Sequence, residues 1–240
     1  NVKSRRSAAA RVMLLMVAVP LAFTALRTAP AQANAGLYLT WLDCALAGNH
    51  VSDFSFGCGS NDGFEELYSA FGMPQATGAD VLGIVAVIDV QDAASPLPAW
   101  WHLEASGGCR TLCATGACLT SSTDCTQNPD CVDPWNGQAV SEVQAYNIGE
   151  PRGLPSQVRI KVVAGVTEPL AVSLDATSTY HAVKLVIQNT WTSGAGACGG
   201  CAASACLVLN SIEVVRTAGA PGGNLFIQTP GAGGLNWARW

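Results

Sequence analysis

The ten residues Val81–Val90, with the sequence VLGIVAVIDV, form a nearly continuous apolar run in which β-branched side chains predominate. β-Branched residues favour strands, and a strand that is apolar on both faces is typical of a protein interior. This run therefore predicts a central β-strand, buried on both faces, around which the rest of the chain is organised.

Further strand patterns lie on either side of this run. Apolar side chains alternate with others in segments bounded by Gly, Pro and Asn, namely 36–43, 156–166, 180–188, 206–215, 224–228 and 235–240. Seven or more short strands predict an all-β fold, a single sandwich of immunoglobulin-like or fibronectin-like architecture. Its expected core comprises Val85, Val87, Ile160, Val162, Val183, Leu185, Ile187, Leu207, Leu209 and Ile212.

Helical patterns are confined to two short segments. Gly63–Phe71 is compatible with two helical turns, for which Asp62 offers an N-cap. Pro98 favours a single turn over the residues that follow it. The sequence thus predicts very little helix.

The first 33 residues have the organisation of a secretory signal peptide. Lys3, Arg5, Arg6 and Arg11 precede the apolar run Val12–Leu26 and the small residues of Ala31-Gln32-Ala33. A membrane anchor is the alternative, but crossing a bilayer takes about 20 apolar residues and this run has 15. We expect cleavage after Ala33, export to the periplasm or beyond the cell, and a mature domain over residues 34–240 without a transmembrane span.

The mature chain is acidic. Five of the 12 Lys and Arg residues lie in the leader, whereas all 17 Asp and Glu residues follow it. Such a surface argues against nucleic acid and anionic membranes as partners. The chain begins with Asn1 and stops at Trp240 just after a strand-like segment, so an additional C-terminal sorting or anchoring domain is one expectation.

All ten cysteines follow the leader. In an oxidising compartment an even count predicts five disulfides and no free thiol. Short loops favour the local pair Cys44–Cys58, and Cys206 with Cys198 or Cys201. The alternative is a zinc site or a redox pair at Cys198-x2-Cys201. The complete set is Cys44, Cys58, Cys109, Cys113, Cys118, Cys125, Cys131, Cys198, Cys201 and Cys206.

Five of these cysteines lie in a polar segment, residues 106–136, that lacks apolar periodicity. We expect it to be a disulfide-stapled insertion in the sandwich, closed by Cys109–Cys131, because packing alone cannot order it. Three cysteines then remain inside it, so at least one must pair outside, with Cys198 or Cys201. That bond would pin the insertion against the last strands and create a concave surface edged by tryptophan.

Carboxylates in the insertion are weak candidates for a calcium site. Asp124, Asp130 and Asp133 supply oxygen ligands of the kind that calcium prefers, together with Asn128 and Asn136. A smaller acidic turn contains Asn61, Asp62, Glu65 and Glu66. Neither has the order of a known calcium loop, and the alternative is that these side chains serve turn geometry.

Four tryptophans suggest a ligand-binding platform. Trp100 and Trp101 follow Pro98, and Trp135 and Trp191 lie in loop-like surroundings. Sugar rings stack on exposed indole faces. The alternative is that Trp100 and Trp101, beside two prolines, cap the hydrophobic core.

Catalytic groups are sparse. The chain has three histidines, His50, His102 and His181, and it lacks a Gly-x-Ser-x-Gly sequence, so a serine triad has little support. Paired carboxylates for glycoside hydrolysis cannot be singled out among 17 acidic residues.

Two local patterns resemble known families. Leu174–Tyr180 resembles the turn that enters a late strand of fibronectin type III domains, which implies a tyrosine corner at Tyr180. The stretches Pro96–Trp101, Gly108–Arg110, Cys131–Ala139 and Ala197–Val214 resemble those of uncharacterised secreted bacterial proteins with a disulfide-rich β-sandwich. That resemblance implies export and a stapled β-domain, and no activity.

The sequence therefore favours a secreted, non-catalytic structural or adhesion module whose partner is a glycan or a cell-envelope protein. A carbohydrate-binding module that uses the four tryptophans is the alternative, and a secreted hydrolase is the third.

Overall fold

Ten β-strands form two antiparallel sheets in the computed structural model, which describes residues 35–44, 50–55, 57–103, 108–110, 113, 117–125 and 131–240. The strands, in chain order, are β1 (Gly36–Trp41), β2 (Phe64–Gly72), β3 (Val81–Asp92), β4 (Leu119–Ser122), β5 (Val140–Ile148), β6 (Gln157–Gly165), β7 (Thr179–Gln188), β8 (Ala205–Arg216), β9 (Leu225–Ile227) and β10 (Trp237–Arg239).

The two sheets pack face to face, which confirms the predicted all-β sandwich. The smaller sheet has the order β1-β2-β7-β4, and the larger has the order β10-β8-β3-β6-β5, with β9 also paired to β8. The core lies between them. An immunoglobulin-like or fibronectin-like topology in particular stays a prediction.

Strand β3 lies in the middle of the larger sheet, as its apolar sequence predicts. It pairs with β6 on one side and β8 on the other, with Ala86 opposite Val162 and Ile212. Only one of its faces is fully buried, however, and this face carries Ile84, Ala86, Ile88 and Val90. Val85 and Val87 point outward and are half-buried, so their assignment to the core was wrong.

The other eight residues of the expected core are buried, each no more than 1% exposed. Strands β6, β7 and β8 supply them. The patterns that predicted β1, β9 and β10 also correspond to strands, although β9 and β10 span only three residues each.

The helix predicted over Gly63–Phe71 was wrong, because this segment forms β2. Leu67 and Phe71 fit a helical face four residues apart, but they equally fit one face of a strand. Pairing to β1 and β7 along both edges decides between the two. The turn predicted after Pro98 is confirmed as a 3₁₀ helix, Ala99–Trp101.

The Tyr180 hydroxyl makes the bond expected of a tyrosine corner. It accepts a hydrogen bond from the Asp175 backbone N–H at 2.8 Å and donates one to the Asp175 carboxylate at 3.1 Å. That carboxylate also accepts bonds from Thr177 and Ser178, which hold the pKa of Asp175 well below its usual range. The turn before β7 is thereby fixed.

All the described residues belong to one compact unit within Gln32–Trp240. The predicted signal peptide, residues 1–33, lies outside the described residues.

Candidate binding surface

The tryptophans predicted to form a platform are largely inside the protein. Trp100 and Trp101 are 0% exposed, because the turn after Pro98 directs both indoles into the core. Their ring centroids lie 5.2 Å apart, and Trp240 lies 4.9 Å from Trp100. The proposed sugar platform was therefore wrong at these positions, and the core-capping alternative is confirmed.

The remaining two tryptophans offer no better platform. Trp135 is buried, with 3% of its surface exposed. Trp191 is half-buried and packs against the same core. The most exposed indole is Trp237, on the short strand β10, which the sequence did not single out.

Beside this cluster lies a buried arginine that the sequence did not identify as important. The Arg110 guanidinium carbon is 4.4 Å from the centre of the Trp100 ring, and the whole residue is 0% exposed. Its two terminal nitrogens donate to the carbonyl oxygens of Trp100 and Gln188. Arg110 thus supports the core and does not face a ligand.

Four disulfides connect the described residues, and every specific pair expected from loop length was wrong. The bonds are Cys44–Cys131, Cys58–Cys201, Cys109–Cys198 and Cys113–Cys118. Three of them join cysteines 87 to 143 positions apart, because the fold brings distant strands together. Cys125 and Cys206 are free thiols, which corrects the expectation of five disulfides.

The insertion is pinned to the later chain, as expected, but by Cys109–Cys198. The predicted closing pair Cys109–Cys131 was wrong, because Cys131 bonds to Cys44. None of the three inner cysteines makes the outward bond, since Cys113 pairs with Cys118 and Cys125 is free. The concave tryptophan-edged surface expected there is not formed, since the indoles are buried. The insertion also contributes β4, which pairs with β7, so it is more than a loop. Cys198 and Cys201 bond to different partners, which excludes the zinc and redox interpretations of that pair.

Of the carboxylates proposed for calcium, Asp124 and Asp133 lie within the described residues. Asp133 accepts hydrogen bonds from the backbone N–H groups of Trp135 and Gly137, as a turn-forming aspartate does. Asp124 is exposed, and Asp130 lies outside the described residues. Among the residues described, no group of three or more His, Cys, Asp or Glu side chains is arranged to hold a metal ion.

The smaller acidic turn also serves backbone geometry. The Asn61 amide oxygen accepts hydrogen bonds from the N–H groups of Thr192 and Ser193. Asp62 contacts Ser60. The Asn61 bonds tie the turn before β2 to the loop after β7, and the Asp62 bonds lie within the turn itself.

A polar cluster covers the outer face of the smaller sheet. The His181 Nδ1 atom lies 4.0 Å from the sulfur of Cys44, and the ring of Tyr68 packs beside it at 5.9 Å. Burial lowers the pKa of His181 to about 4. The Tyr68 hydroxyl donates to Glu66, which also pairs with Lys184. His181 is 1% exposed, so its imidazole is closed to a substrate.

The outer face of the larger sheet carries an open apolar groove of about 460 Å³. We call it the valine groove. Its floor is the glycine pair Gly83 and Gly165, which face each other across β3 and β6. A Cβ atom at Gly83 would lie 2.4 Å from the Ala164 carbonyl oxygen, and one at Gly165 would lie 2.7 Å from that of Leu82. Only glycine permits this bare floor, whose walls include Leu82, Val85, Val140, Val163 and Val215.

A second, polar groove of about 260 Å³ lies at the opposite end of the same strands. We call it the thiol groove, because the exposed free thiol of Cys206 lines it. The other lining residues are Asp89, Gln91, Pro151, Arg152, Gln157, Val208 and Asn210. Partial desolvation of its sulfur raises the pKa of Cys206, whereas the charge of Arg239 on the neighbouring strand acts in the opposite direction.

Fold and surface together define a disulfide-bonded β-sandwich protein with two grooves on one sheet face. No family model matches the sequence, and neither a curated protein nor a solved structure is significantly similar to it. Four disulfides are typical of proteins that mature outside the cytoplasm. Within the part of the chain described, no helix has the length and apolar character needed to cross a membrane.

Proposed function

We propose that this protein is an exported, non-catalytic binding module, acting in structure or adhesion, that recognises a protein partner through the valine groove. The observation that carries the proposal is the groove itself, an apolar surface on the side of the sheet that faces away from the core. Val140, one of its walls, is 78% exposed. Contiguous apolar surface turned to solvent is a feature of protein interaction sites.

The chemistry of the groove indicates the partner. Its lining is aliphatic apart from Ser141 and Glu142, and Glu142 is exposed at its rim. An aliphatic or aromatic side chain beside a Lys or Arg would therefore match both the walls and the charge. The acidic mature chain favours the same basic partner by long-range attraction.

A displayed library of random peptides, panned on the purified protein, tests this specificity. We expect enriched peptides to share an apolar residue next to a basic one, and to bind saturably. The Val85→Lys substitution should weaken their binding by at least about tenfold, because it places a charge in an apolar groove. Val87→Lys is the matched control, since Val87 is also half-buried on the outer face of β3 but does not line the groove.

Two results would contradict this function. One is that Val85→Lys and Val87→Lys weaken the binding of the enriched peptides equally. The other is saturable glycan binding that survives both substitutions, which would favour a carbohydrate-binding module with a site elsewhere.

Export is part of the proposal and has its own test. The leader pattern and the four disulfides support it. The protein recovered from the extracytoplasmic fraction of an expressing bacterium should begin at Asn34. Recovery with residues 1–33 intact would contradict signal-peptide cleavage.

A further inference from the structure

We propose that the thiol groove is a covalent ligand site, in which Cys206 forms a mixed disulfide with a small thiol that bears a carboxylate. This inference does not depend on the valine groove or on its partner. It rests on three features of the groove, which are an accessible sulfur, a buried amide oxygen without a hydrogen-bond partner and a cation without an acidic partner.

The first feature is the position of the sulfur. Leu207 and Leu209 face the core, so Cys206 points to the outer face of β8, as strand alternation requires. It is exposed and makes no disulfide. A free surface thiol in an oxidising compartment is open to exchange with other disulfides.

The second feature points directly to a ligand. Gln157 lines the groove, is only 5% exposed, and donates from Nε2 to the Gln91 side-chain oxygen at 2.8 Å. Its own side-chain oxygen is buried without a hydrogen-bond partner. Leaving such an acceptor unpaired is unfavourable, because the oxygen has lost its bonds to water without gaining others. A ligand N–H group in the groove would satisfy it.

The third feature sets the charge of the ligand. Asp89 is neutralised by a two-pronged ion pair with Arg159, at 2.7 and 2.8 Å. Arg152 is exposed and, among the residues described, has no acidic partner. Taken together with Arg159, the lining residues thus carry a net positive charge, which favours a carboxylate. Glu150 acts on Arg159 but does not line the groove. A volume of about 260 Å³ suits an amino-acid-sized or small peptide thiol.

The reaction is a thiol–disulfide exchange. The Cys206 thiolate attacks one sulfur of a small symmetrical disulfide, and a bond forms between the two sulfurs while the original S–S bond breaks. The other half leaves as a thiolate and takes up the proton that Cys206 lost. Cys206 is oxidised and the released half is reduced, so the small disulfide itself is the oxidant.

A second copy of the chain is a less suitable occupant. A disulfide between two Cys206 residues requires their Cα atoms to approach within about 7 Å. That approach would bring the unpaired Arg152 of each copy against the same face of the other, and like charges oppose it.

Mass spectrometry of the intact protein, followed by peptide mapping, tests the site with three probes. These are glutathione disulfide, which is anionic, cystamine, which is cationic, and 2-hydroxyethyl disulfide, which is neutral. We expect one adduct per chain, located at Cys206 and absent in Cys206→Ser. Arg152→Gln should slow the reaction with glutathione disulfide about 3- to 10-fold at low ionic strength and leave the neutral probe unaffected.

Lys161→Gln is the matched control, because Lys161 is an exposed cation on β6 that does not line the groove. It should leave all three rates unchanged. Equal slowing of the anionic and neutral probes by Arg152→Gln would overturn the proposal. So would an adduct confined to Cys125, or a covalent dimer as the only product.

Discussion

The guanidinium group of Arg110 lies against the ring of Trp100 at 4.4 Å and donates a hydrogen bond of 3.1 Å to the carbonyl oxygen of that same residue. Its other terminal nitrogen donates to the carbonyl of Gln188 at the end of β7. One fully buried side chain therefore ties the tryptophan turn to the smaller sheet. Burial without a carboxylate lowers the pKa of Arg110 to about 10, and the π face and two carbonyls stabilise the charge.

Replacing Arg110 should destabilise the fold. Arg110→Met retains most of the volume but leaves two buried carbonyls without donors, so we expect a loss of about 2–4 kcal/mol in the free energy of unfolding. Urea denaturation measures it. Arg159→Met is the control, because Arg159 belongs to a partly exposed ion pair and should cost less than about 1 kcal/mol. Equal stability of Arg110→Met and the wild type would show that the carbonyls find other donors.

His181 should make stability dependent on pH. Burial lowers its pKa to about 4, whereas the unfolded chain has the ordinary value of 6.5. As pH falls below 6.5 the unfolded state therefore takes up a proton that the native state does not accept. The contribution is fully present above pH 6.5 and is lost progressively towards pH 4, by about 2 kcal/mol at pH 5.

The measurement compares urea denaturation of the wild type and His181→Gln at pH 7.5 and pH 5. The variant should lose less stability on acidification, since its side chain does not titrate. Carboxylates contribute equally to both proteins and cancel in the comparison. An identical loss in the two proteins would contradict the buried, neutral state of His181.

The long-range disulfides should contribute more than the short one. Cys58–Cys201 joins residues 143 apart, and Cys113–Cys118 joins residues five apart. With Cys44–Cys131 and Cys109–Cys198 intact, the shortest loop that the first bond closes has roughly 40 residues, which the chain-entropy model values at about 4 kcal/mol, against about 2 kcal/mol for the second. Paired Cys→Ser variants, compared by thermal unfolding, measure the difference. A larger loss from Cys113–Cys118 would contradict this ranking.

The sequence predicted the strands whose apolar residues alternate clearly, but it could not assign the faces of β3. Apolar side chains occupy both sides of that run, so periodicity alone does not distinguish Val85 from Ile84. Pairing of Ala86 with Val162 and Ile212 determines the inner face. Such pairing is a property of the whole sheet and is absent from the local sequence.

Non-local contacts also explain why the candidate surface was missed. Gly83 interrupts an apolar run and Gly165 ends another, and only strand register shows that they face each other. Cysteine pairing is equally non-local, because loop length favours near neighbours whereas the fold joins Cys58 to Cys201. The sequence also placed Trp100 and Trp101 in a turn after Pro98, which is correct. It could not show that this turn directs both indoles into the core, because that direction depends on contacts with distant strands.

The two free thiols give the last prediction. Cys206 is exposed on the larger sheet, whereas Cys125 is buried after β4 in the smaller sheet, so the fold keeps them from pairing with each other. Accessibility separates the two thiols, because a reagent reaches the exposed Cys206 and not the buried Cys125. Burial, together with the charges of Asp133 and Asp124, also raises the pKa of Cys125. Titration with a chromogenic disulfide should detect one thiol in the native protein and two after non-reducing denaturation. Cys206→Ser should abolish the native signal and retain the second thiol. Detection of none after denaturation, in protein whose intact mass shows no small-thiol adduct, would instead establish a fifth disulfide.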